Sequence, residues 1–131
     1  MGERLFVKDT SWRARFVCFG HASRGIGLHL ATQANARVHA VASVAAVLIG
    51  LWLGLSSVEW SVIVGAIGLV WVAETFNTAI EFLVDLVSPA HHPIAGRVKD
   101  VAAGAVLLAA VTAAVIGLII FGPKLLALWR D

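Results

Sequence analysis

Two stretches of the chain, residues 38–55 and 101–121, contain no Asp, Glu, Lys or Arg. As helices, each is long enough to cross a hydrocarbon core of about 30 Å. A third apolar run begins at Trp60, stays uncharged through Ala73, and continues with helical spacing past Glu74, Glu81 and Asp85. The pattern predicts three transmembrane helices, at about 36–55, 59–86 and 99–121. Upstream, Trp12, Phe16, Phe19, Ser23, Ile26 and Leu30 recur at offsets of three and four, with Arg13 and Arg24 off that stripe. This predicts an amphipathic helix over about 11–34, lying in a headgroup layer. Residues 1–10 read as a polar lead-in. Ser88-Pro89 and His92-Pro93 should break the loop before the last span, and Gly122-Pro123 should end that span. The expected fold is all-α and integral to the membrane, one domain over residues 1–131.

Composition agrees: 60% of residues are hydrophobic and 14% charged, and the mean hydropathy is +0.89. That excludes a water-soluble globule. The basic residues are placed unevenly. Arg4, Lys8, Arg13, Arg15, Arg24 and Arg37 precede the first span, Arg97 and Lys99 lie between the second and third, and the turn at 56–59 has no base. Positive charge stays inside, so the N-terminus and the 86–100 loop are expected in the cytoplasm and the C-terminus outside. So sparse and sided a basic excess is no nucleic-acid signature. Cys18 stands alone and can form no intrachain disulfide. The start lacks the apolar core of a signal peptide. Gly50 and Gly54, and then Ala109, Ala113 and Gly117, have the small-residue spacing that lets helices approach closely in lipid. Assembly of several copies is expected.

The chemistry sits in the second span. At about 100° per residue, Glu74, Asn77, Glu81 and Asp85 share an arc of roughly 80° along about 16 Å of helix. An ionised carboxylate at membrane depth costs at least about 2.5 kcal/mol, so a strip of acids there needs a cation. Hard oxygen donors without Cys or His at ligand spacing suit Mg²⁺ and not Zn²⁺. Arg97, Lys99 and Asp100 follow at the inner mouth, where a cation can hold phosphate oxygens. Gln33, Asn35, Arg37 and His39 add amides and a charge at the start of the first span. Other motifs fail. Gly20-His21-Ala22-Ser23-Arg24-Gly25 has the glycine spacing of a phosphate loop but is followed by Ile26-Gly27 in place of Lys and Ser or Thr. The adjacent His91 and His92 would point to different sides of a helix or strand. From the residues alone, a small cation-binding channel or transporter subunit is the rival to an enzyme. A conduit, however, wants acids across the full depth, and these stop at the inner half.

The run Glu74-Thr75-Phe76-Asn77-Thr78-Ala79-Ile80-Glu81, then Val84-Asp85, then Lys99-Asp100 and Ala102-Ala103-Gly104, resembles the prokaryotic diacylglycerol kinase family, which includes the undecaprenol kinases. The likeness covers about residues 12–122. It implies a homotrimer in the bacterial inner membrane, each chain with three spans and a surface helix. ATP and Mg²⁺ are implied, with phosphoryl transfer to a membrane lipid alcohol, undecaprenol or diacylglycerol. The resemblance makes Glu74 the base and Glu81 a Mg²⁺ ligand. It puts Asn77, Asp85, Lys99 and Asp100 around the ATP phosphates, with His92, His91 and His21 toward the adenosine. Asn35 and Arg37 fall on the lipid side. Family members often carry Glu where this chain has Gln33, so a second metal ligand here would be neutral.

Overall fold

The computed structural model describes residues 11–90, 92–128 and 130. They form four helices: α1 (Trp12–Thr32), α2 (Ala34–Trp52), α3 (Ser57–Val87) and α4 (Pro93–Leu128). The expectations for Arg4, Lys8 and His91 fall outside the described residues. The chain divides into two compact units, Met1–Thr32 and Gln33–Asp131.

The first unit is α1. Trp12, Phe16, Phe19 and Ile26 are exposed along it, and the Arg15 guanidinium lies 5.0 Å from the Trp12 ring centroid. Its hydroxyls are spent on its own backbone: Ser23 Oγ donates to the Phe19 carbonyl at 2.9 Å and Thr32 Oγ1 to that of Leu28 at 2.8 Å.

In the second unit all three helices are long and apolar enough to cross a membrane. Val41, Leu48, Leu51, Leu69, Val72, Leu107 and Leu118 point outward, which costs little where the solvent is itself hydrocarbon. The α2–α3 turn closes on Gly54, whose φ of +62° suits a residue without a Cβ. Ser56 then starts α3 with a capping box. Glu59 N–H donates to Ser56 Oγ at 3.3 Å, and Ser56 N–H to Glu59 Oε2 at 2.7 Å. Glu59 Oε1 also pairs with Lys124 Nζ at 3.2 Å.

α4 departs from expectation at both ends. It starts at Pro93, about two turns early, because proline at a first helical position gives up an N–H that has no partner anyway. It also runs through Pro123 to Leu128. Proline there forfeits one backbone bond, and the Lys124–Glu59 pair ties the continuing turn to α3.

The core is narrow. Ile63, Ala66 and Val70 on α3 and Ala102, Val106 and Ala109 on α4 are buried at spacings of three and four. α2 contributes Ala36 and Gly50. Gly50 lies so close to α3 that a Cβ there would meet Trp60 Cη2 at 2.9 Å, so this glycine serves packing inside the chain. Ala113 and Gly117 line a cavity of about 320 Å³ between α2, α3 and α4.

Candidate active site

The C-terminal half of α3 gathers the polar groups. Glu74 is 2% exposed, and Asn77 and Thr78 beside it are also buried. Glu74 Oε2 and Asn77 Oδ1 accept no hydrogen bond from the described residues. One turn further along, Glu81 is held from both sides. Asn77 Nδ2 donates to its Oε1 at 3.0 Å, and Gln33 Nε2, from the start of α2, donates to its Oε2 at 3.4 Å. A carboxylate can only accept, so both amides must turn their nitrogens toward it. Gln33 can reach Glu81 because it is the extended residue before α2 (φ −101°, ψ 120°) and makes no side-chain cap bond.

At the end of α3, Asp85 Oδ1 accepts from Lys99 Nζ at 2.6 Å. The pair is 64% and 36% exposed, so it adds little to stability. It borders a cradle of about 200 Å³ with Ser88, His92 and Gly96. The cradle's turn is fixed locally. Ser88 Oγ donates to the Ala90 carbonyl at 3.2 Å, and His92 Nδ1 accepts from the Ile94 N–H at 3.2 Å.

The sequence-derived set therefore falls into groups. Gln33, Asn77 and Glu81 meet directly, Asp85 meets Lys99, and Glu74 lies buried on the same helix. His92 borders the cradle. Asn35 and Arg37 are exposed at the start of α2, Asp100 is exposed about two turns into α4, and His21 is exposed on α1. Sequence reasoning missed the bond between Trp71 Nε1 and Ser43 Oγ, 3.1 Å across α2 and α3. Neither residue carries a motif, and no signal in the sequence joins them.

The oxygens fit a hard divalent cation. Glu81 offers a carboxylate held by two amides, and the carbonyl oxygen of the Gln33 amide beside it is a second hard donor. Among the described residues no three His, Cys, Asp or Glu cluster as a closed metal cage. Mg²⁺ sites commonly combine one or two carboxylates with phosphate and water.

The model of the prokaryotic diacylglycerol kinase family matches residues 20–121. The chain belongs to that family. Among its relatives in the family, the undecaprenol kinase of Bacillus subtilis is 46% identical over 110 residues, covering 84% of this chain and 89% of that protein. The diacylglycerol kinase of Synechocystis is 36% identical over 131 residues, covering 97% of this chain and 75% of that protein. The Escherichia coli K12 diacylglycerol kinase is 31% identical over 96 residues, with coverage of 73% and 79%.

Proposed function

We propose that the chain transfers the γ-phosphoryl group of ATP to the hydroxyl of a membrane lipid, with undecaprenol as the acceptor and diacylglycerol as the alternative. Membership of the family makes it a lipid kinase, a phosphotransferase with an alcohol as acceptor. The observation that carries the site assignment is Glu74: a buried carboxylate in a candidate span, one oxygen without a donor among the described residues, one turn from the clamped Asn77–Glu81 pair. Undecaprenol is favoured because the relative of that name is 46% identical, against 36% and 31% for the diacylglycerol kinases.

In the reaction the lipid oxygen bonds to the γ-phosphorus as the bond from that phosphorus to the β–γ bridging oxygen breaks, and ADP departs. Glu74 takes the hydroxyl proton at Oε2. Asn77 orients Glu81 through its amide N–H. Glu81 and the carbonyl oxygen of Gln33 would hold Mg²⁺, which when bound neutralises charge on the phosphate oxygens. Lys99, steered by Asp85, offers its ammonium to the phosphates beside Asp100. His92, with His91 and His21, serves the adenosine end, and Asn35 and Arg37 the lipid headgroup. Positioning and charge neutralisation supply most of the rate in such transfers.

The basic residues put the N-terminus and the Pro93 end of α4 in the cytoplasm, where ATP is, and the C-terminus outside the inner membrane. α1, apolar on one stripe and basic beside it, lies in the cytoplasmic headgroup layer. Three copies form the working enzyme, and sites are shared between them.

The test is phosphate transfer from labelled ATP into lipid extracted from vesicles containing either alcohol. Incorporation into undecaprenol exceeding that into diacylglycerol is expected. No incorporation into either ends the proposal. Mixing Glu74→Ala with Lys99→Ala chains should restore part of the activity, and a fully active monomer would end the shared-site assignment.

A further inference from the structure

Among the described residues, two hydrogen bonds that tie α2 and its N-cap residue to α3 share one register. Gln33 meets Glu81, and Ser43 meets Trp71. From Gln33 to Ser43 is ten residues up α2, and from Glu81 to Trp71 is ten residues up α3, about 15 Å on either helix. The helices follow one another through a short turn and run antiparallel, so the bonds are two rungs of one ladder. A slip of either helix by a residue would break both.

The rungs differ in strength. Gln33 precedes its helix, has no cap bond, and reaches Glu81 over 3.4 Å. Trp71 Nε1–H lies 3.1 Å from Ser43 Oγ, and that hydroxyl donates its own hydrogen to the His39 carbonyl at 2.7 Å. The serine hydrogen is thus committed to the backbone, and a lone pair faces the indole. Indole nitrogen is a donor with no other role. At this depth no bulk water offers a replacement partner. Trp71 is also only three residues from Glu74 on the same helix.

We infer that Trp71 and Ser43 form a register pin, a pair of positioning residues that hold α2 at the height where Gln33 meets Glu81. The inference deepens the kinase reading and rests on its assignment of Glu81. It predicts that loss of the pin is felt at the nucleotide site, about one and a half times the width of a helix away, without either residue touching substrate.

The experiment uses the full chain in vesicles, with Trp71→Phe, which keeps a ring and removes the N–H, and Ser43→Ala. Each variant should raise KM for Mg·ATP about three- to five-fold, as expected for one hydrogen bond, with kcat nearly retained. The double variant should match the singles. Ser43→Thr, which restores a hydroxyl, should recover the wild-type KM. In a Gln33→Ala background, Trp71→Phe should add nothing further. An unchanged KM, or a full effect of Trp71→Phe on top of Gln33→Ala, overturns the inference. A thermal-unfolding cycle of Trp71→Phe and Ser43→Ala reads the bond without catalysis. Non-additive losses are expected there, and additive ones overturn the pin even in a chain that phosphorylates neither lipid. Should Trp71→Phe not fold, the Ser43→Ala, Ser43→Thr and Gln33→Ala variants decide the same question.

Discussion

α3 carries acids at both of its ends, and the two ends treat them in opposite ways. At the N-terminal end Glu59 is fully employed: one oxygen accepts the Ser56 N–H and the other pairs with Lys124. Toward the C-terminal end Glu74 is buried with an oxygen that has no donor among the described residues, and Asn77 likewise keeps its Oδ1 uncommitted there. A folded chain satisfies its structural acids locally, because an unpaired polar atom in a dry interior costs about 1–3 kcal/mol or more. Valence left open on buried groups marks where a ligand completes the structure. The difference separates a helix cap from the proposed catalytic strip more sharply than the count of acids does.

The largest expected effect comes from removing the open charge. Glu74→Gln should cut turnover by roughly 10²–10⁴-fold, the usual worth of a positioned base. Its thermal midpoint should stay level or rise, since a buried neutral amide costs less than a carboxylate. Near-normal phosphate incorporation would erase the contrast between the two ends. Glu81→Gln should follow with a loss of about 100-fold or more, beyond what a residue behind a metal ligand costs, while sizing in detergent shows an unchanged assembly. Gln33→Glu should act in the other direction on the metal. A second carboxylate beside Glu81 repels it until a cation binds, so the Mg²⁺ concentration giving half-maximal rate should fall several-fold; an unaltered Mg²⁺ titration would remove Gln33 from the metal. The smallest effect belongs to the N-terminal end of α3. Ser56→Ala should cost about 1 kcal/mol of stability through the lost cap, with unchanged kcat/KM for Mg·ATP, and a drop in that ratio would mean the cap is wired to the site.

Much of this was legible in the sequence because a bilayer leaves few choices. Uncharged runs of the right length had to become helices, and the spacing of Glu74, Asn77, Glu81 and Asp85 alone puts them on one helix face. What stayed hidden depends on contacts between helices. Nothing in the sequence links Ser43 to Trp71, and the pairing of Asp85 with Lys99 emerges only when α3 and α4 meet. The ends of α4 were misjudged for another reason. Pro93 and Pro123 read as stops, yet the first sits where a missing N–H costs nothing, and helix α4 continues beyond the second.

Gly50 has a consequence for how such a chain can change over generations. A single added methyl at this position would stand 2.9 Å from the Trp60 ring and 3.0 Å from Leu55 Cδ1, closer than carbon atoms rest. Ala at 50 therefore forces the Trp60 ring or Leu55 to move, and shrinking residue 60 alone leaves a hole that a larger residue 50 can refill. Substitutions at 50 and 60 are thus coupled: the pair changed together should cost less stability than the two single changes added.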